Sequence, residues 1–87
     1  MIYMKNELSQ KIERNKLKAL LFFQENKKVF IKTIQDQYYF GNIIKITDSV
    51  LNIRCFAPSE KAFKSYGIYF IDITLIEEYV PKEEMKQ

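Results

Sequence analysis

At Lys28 the spacing of apolar residues changes, and that change narrows what the chain can fold into more than any other feature. Before it, residues 3–26 contain no Gly or Pro, and Leu8, Ile12, Ala19 and Phe23 recur at helical spacings with Leu20 and Leu21 beside them. After it the period falls to two, and β-branched and aromatic residues dominate. The pattern predicts strands over Val29–Ile34, Tyr38–Thr47 and Val50–Phe56, with turns at Gln35–Gln37 and Asp48–Ser49. Pro58–Gly67 reads as a polar loop, and Ile68–Tyr79 as two further short strands meeting at a corner near Asp72. Gly41, inside the second strand, marks a bulge or sharp bend.

The expected fold is therefore α+β and mostly β. A long N-terminal helix (1–27) precedes a five-stranded, strongly bent antiparallel barrel (28–81), and a charged tail (82–87) follows. Lys5, Lys11, Arg14, Lys16 and Lys18 decorate the other faces of the helix, and its apolar stripe thins around Asn15 and Lys16. The first half is thus expected to project or to meet a partner, and Leu17–Phe23 to be buried on most sides.

Composition excludes several functions. There is no His and a single cysteine, Cys55, so His-based catalysis, the usual zinc sites and an internal disulfide are all ruled out. Cys55 falls on an apolar strand face with no base to activate it, which makes it a small hydrophobe rather than a nucleophile. Glu77 and Glu78 point to opposite faces of a strand, and a small filled barrel offers Asp72, Glu83 and Glu84 no cleft. No catalysis, metal or cofactor is expected. No apolar block near the N-terminus approaches the ~20 residues of a membrane span, and Met1–Asn6 lead straight into a charged helix, so the protein is expected to be cytoplasmic. Hydrophobic residues make up 47% of the 87, ample for one core. A domain this small has a thin stability margin, which association relieves.

The net charge of +3 permits a nucleic-acid partner without demanding one. Alternation along the third strand puts Val50, Asn52 and Arg54 on one face and Leu51, Ile53 and Cys55 on the other, the natural core face. Asn52 and Arg54 then share an exposed, polar face. Lys61, Phe63, Lys64 and Tyr66 interleave cations with aromatics, a pattern suited to contacting single-stranded nucleic acid and equally open to protein docking. Lys27, Lys28 and Lys32, at the helix-to-strand junction, suit phosphates or the helix C-terminus.

The order of elements, Gly41 in the second strand and the turn Asp48-Ser49-Val50-Leu51-Asn52-Ile53 resemble the Sm-like (LSm) family, in the manner of a divergent archaeal-type member, over Asn26–Val80. The Gly41-to-Asp48 spacing is one residue longer than the family's motif, and Phe70-Ile71-Asp72-Ile73 stands where an Arg-Gly pair is usual. The pattern Gly41-x-Ile43-x-x-Ile46 with a late Ile73-x-x-Ile76-Glu77 also recurs in other small barrels. The resemblance implies a homo-oligomeric ring in which the fourth strand of one barrel pairs with the fifth of the next. It further implies that Asp48 and Asn52 hold a base of single-stranded, uridine-rich RNA. The competing reading makes Asp48 a turn cap, Asn52 a solvated strand residue, and the chain a protein-docking subunit.

Overall fold

The computed structural model describes residues 7–80. The expected helical residues 3–6 and the tail 82–87 lie outside them. Helix α1 spans Glu7–Gln24, and five strands follow: β1 Lys28–Thr33, β2 Tyr38–Ile46, β3 Val50–Ala57, β4 Ala62–Tyr69 and β5 Ile73–Glu78. A single turn of 3₁₀ helix, Phe70–Asp72, makes the corner between β4 and β5.

α1 stops two residues short of the expected Asn26 because Asn26 takes a left-handed conformation at φ 55°. Its N–H donates to the Phe23 carbonyl and that of Lys27 to the Phe22 carbonyl at 2.9 Å, the 6→1 and 5→2 pair that closes a Schellman cap. The helix presents Ile12, Asn15, Ala19 and Phe22 to the sheet, with Ala19 fully buried. Leu17 is 67% exposed and Leu8, Leu21 and Phe23 are exposed too, so the expected burial of Leu17–Phe23 on most sides does not hold.

The reason is Asn15. Its Nδ2 donates to the carbonyls of Phe70, at 3.1 Å, and Ile73, at 3.0 Å, which flank the 3₁₀ corner. Lys18, one turn on, donates to the Ile76 carbonyl and pairs with Glu77 at 2.8 Å. The point where the apolar stripe thins is thus the point of attachment, and it selects which side of the helix faces inward.

All strands are antiparallel, in the order β4-β3-β2-β1-β5. The expected closed barrel is instead an open sheet, with β4 and β5 at its two edges. The predicted loop Pro58–Gly67 is corrected as well. Only Pro58–Lys61 turns, with Lys61 left-handed at φ 53°, and β4 pairs with β3 from Ala57↔Ala62 to Val50↔Tyr69. Of the eight residues of β4 only Ile68 is buried, so the strand lacks the alternation that would reveal it in sequence.

The core lies between α1 and one sheet face and consists of Ala19, Val29, Ile31, Ile43, Leu51, Ile53, Ile68, Phe70, Ile73 and Ile76. Two bulges keep it apolar. The β2–β3 register steps from Ile43↔Ile53 to Lys45↔Asn52, leaving Ile44 as an extra residue. The β1–β5 register steps from Lys32↔Leu75 to Thr33↔Ile73, with Thr74 as the extra one. Gly41 is buried where β3 crosses closely: a Cβ there would collide with the Arg54 carbonyl oxygen and sit 2.9 Å from its carbon.

Two stability predictions follow from these contacts. Asn15→Leu keeps the bulk but strips the donor from two carbonyls, and should lower unfolding free energy by about 1–3 kcal/mol in urea melts. Gly41→Ala meets backbone rather than a flexible side chain, and should cost about 1–3 kcal/mol in the same melts.

Candidate functional site

β3 carries the centre of the site. Residues directly opposite in an antiparallel pair share a face, so the pairing sorts the six expected residues without reference to any side-chain contact. Lys45, Asn52 and Gly67 form one row across β2, β3 and β4 on the outer face, and Asn42, Arg54 and Ser65 form the next. Asn52 and Arg54 therefore share the exposed face, as expected.

Asn52 lies over its β4 neighbour Gly67, together with Val50, in the space a side chain there would need. A Cβ on Gly67 would lie 3.3 Å from Asn52 Oδ1. Asp48 sits at the tip of the β2–β3 turn with its carboxylate fully exposed, 3.2 Å from Lys16 Nζ. It does not cap its own turn; Thr47 does. The Val50 N–H donates to Thr47 Oγ1, and the Thr47 N–H to the Val50 carbonyl at 2.8 Å. Thr47 and Gly67 were both missed in the sequence. The Thr-x-x-Val spacing was the available sign of the first, and no local pattern marks the second.

The other expected residues do not join this group. Lys61 stands exposed at the β3–β4 hairpin tip. Tyr66, opposite Ile53, and Lys64, opposite Cys55, lie on the inner side of β4. Tyr66 packs its ring against Tyr39 at 5.3 Å, and Lys64 pairs with Glu60 at 2.7 Å. The interleaved cations and aromatics of the presumed loop are split between faces because that segment is a strand. At the junction, Lys27 pairs with Glu78 and Lys32 with Asp36, whereas Lys28 has no ion pair among the described residues.

Most of the aromatic side chains of the second half stay out of the core; among the described residues Phe70 alone of them is fully buried. On the outer face the rings of Phe30 and Tyr38, Phe30 and Phe40, Phe40 and Tyr79, and Phe56 and Phe63 contact one another with centroids 5.0–5.8 Å apart. The Arg54 guanidinium lies 4.5 Å from the centre of the Phe63 ring, a cation–π contact.

Cys55 is on the inner face at the margin of the core, as its position in the alternation predicts. Burial pushes its thiol pKa above the ordinary value, partly offset by a hydrogen bond from the Phe40 backbone. Among the described residues no group of three or more His, Cys, Asp and Glu side chains comes together as a metal site, and no helix is long and apolar enough to cross a membrane. The sequence matches no protein-family model and no curated protein.

A raised thiol pKa means less thiolate at neutral pH than in the unfolded chain. Iodoacetamide should therefore label Cys55 more slowly in the folded protein than in urea at pH 8. The gap should narrow as pH rises through the folded-state pKa, as followed by intact mass.

Proposed function

We propose that the chain is a non-catalytic, oligomeric RNA-binding protein of Sm-like build, a cytoplasmic scaffold or chaperone for single-stranded, uridine-rich RNA. The observation that carries this reading is that β4 and β5 are the two edges of the sheet. They are the pair a ring of such domains would join, and an open edge of eight residues with exposed Phe63, Tyr66 and Tyr69 needs an occupant. Two further features support it. The bulge at Ile44 takes up the extra residue between Gly41 and Asp48, so the Asp48–Asn52 turn keeps its place relative to the bend. Asn52 and Arg54 present hydrogen-bond donors on the outer face, where Gly67 leaves Asn52 room to lie across β4. The base is held on this reading by Asn52, with Asp48 fixing the turn against Lys16 and Arg54 meeting phosphate.

A second reading, a protein-docking subunit without RNA affinity, draws on the helix. Leu17 and Leu21, one turn apart on its outward side, are both exposed.

Fluorescence anisotropy with oligouridine separates the two. The first reading expects binding that weakens steeply with salt and about tenfold weaker binding for Asn52→Ala, the loss of one base hydrogen bond. It also expects a light-scattering mass of several 10.5 kDa protomers. A monomer or dimer with no RNA affinity at low salt favours the docking subunit.

A further inference from the structure

We propose that a groove on the outer face, walled by Phe40, Phe56, Phe63 and Tyr79 and flanked by Lys28 and Arg54, stacks a nucleobase of single-stranded RNA at a second contact separate from Asn52. The inference rests on the RNA-binding reading and extends it to residues that reading does not use.

The groove encloses about 210 Å³ at the bend of β2, where Gly41 and Asn42 also line it. This is below the ~300–1,000 Å³ of a pocket for a drug-sized metabolite, and a shallow slot with aromatic walls suits one planar ring. Phe40, Phe56 and Phe63 are 48%, 52% and 58% exposed, on the side of the sheet turned away from the core. They pack on one another and on neighbouring rings but not against the core, and about half of each stays in contact with water. Water contact with so much ring surface is unfavourable, and bases of any sequence offer a matching π-face.

Charge selects the class of occupant. Lys28 and Arg54 have no ion pair among the described residues, and Arg54 is held in place by Phe63. The nearby acid Glu78 is taken up by Lys27 at 3.6 Å. Aromatic rings with unpaired cations and no free acid match a base with its phosphates better than an apolar or basic protein surface. Phe56 lies four residues beyond Asn52 on β3, about 13 Å away, so one RNA strand running along β3 reaches both.

The chain contains no Trp, so Phe56→Trp creates a single fluorophore in the groove. Titration of that variant with oligouridine and oligoadenosine should quench its emission, saturating at the RNA concentration where anisotropy does. Phe56→Ala and Phe63→Ala should each weaken RNA binding about 5- to 150-fold while lowering the melting temperature only by the small amount that one cross-strand ring pair contributes. Lys28→Gln should reduce the slope of log affinity against log salt by about 0.7. Unquenched Trp emission together with wild-type affinity in both alanine variants, while Asn52→Ala still weakens binding, overturns the groove and leaves the RNA reading standing. Absence of RNA binding by the unaltered protein removes both.

Discussion

The sheet can gather its isoleucines on one side only because two strands give way by one residue each. Ile43 and Ile46 are three positions apart, as are Ile73 and Ile76, and in a regular strand such pairs would point to opposite faces. The extra residues Ile44 and Thr74 restore the parity, so both members of each pair face inward. A fully buried isoleucine contributes about 1.5–3 kcal/mol over an exposed one, a large share of the total stability of so small a domain. The same step keeps Lys45 in line with Asn52 on the outer face; without it, Ile44 would stand there and Lys45 would turn toward the core. Thr74 meets the demands of its bulge by donating its hydroxyl to the Lys32 carbonyl at 3.1 Å. The repeated Ile-x-x-Ile spacing is thus a bulge signature, and the polar outer face is a consequence of the apolar inner one.

Legibility in the sequence followed burial. β1, β2 and β3 have one buried face, so their alternation was readable to within a residue or two, and the face assignments along β3 held from Leu51 to Cys55. Gly41 was readable as a special position, but the bulge expected there lies three residues on at Ile44, and what Gly41 itself meets is the close approach of the Arg54 backbone. β4 was not readable, since an edge strand with one buried side chain has no period to detect. Misreading it as a loop carried over to the site: Lys64 and Tyr66, expected in one nucleic-acid-contacting loop with Lys61 and Phe63, lie by strand geometry on the face opposite Asn52 and Arg54. The helix was recognised, but its inward face was assigned by hydrophobicity alone. Asn15 won that contest because two carbonyls at the 3₁₀ corner needed a donor, a demand set by residues 55 and 58 positions away. No local pattern carries information of that range.

Asn15 also ties the helix to the state of the edge. β5 is held on one side by β1 and from above by α1, through Asn15 at its start and Lys18 near its end. Its other side pairs with no strand among the described residues. β4 has a single neighbour, β3, and little burial. The two edges thus differ in stiffness: β5 is a clamped template, whereas β4 is a ribbon extended from β3. An edge-to-edge contact between copies would join unlike partners. Contacts of that heterologous kind either close into rings or run on as fibres, depending on the rotation between subunits.

The outer face of β3 changes character along its length, and Arg54 sits at the boundary. Beyond the Val50–Tyr69 pair at the β2–β3 turn the next rows are polar, with Lys45, Asn52 and Gly67; at the β3–β4 hairpin they are aromatic, with Phe56 and Phe63. A polar row can discriminate one base by hydrogen bonding, whereas an aromatic row accepts any base by stacking. Joined by one arginine that already rests on a ring, the two would divide recognition into a selective end and a tolerant end. On this reading selectivity depends on Asn52 and Gly67, and grip on Phe56, Phe63 and Lys28. That division also explains why exposed aromatic rings can sit on a protein whose core, at the opposite face, is built almost wholly from aliphatic side chains.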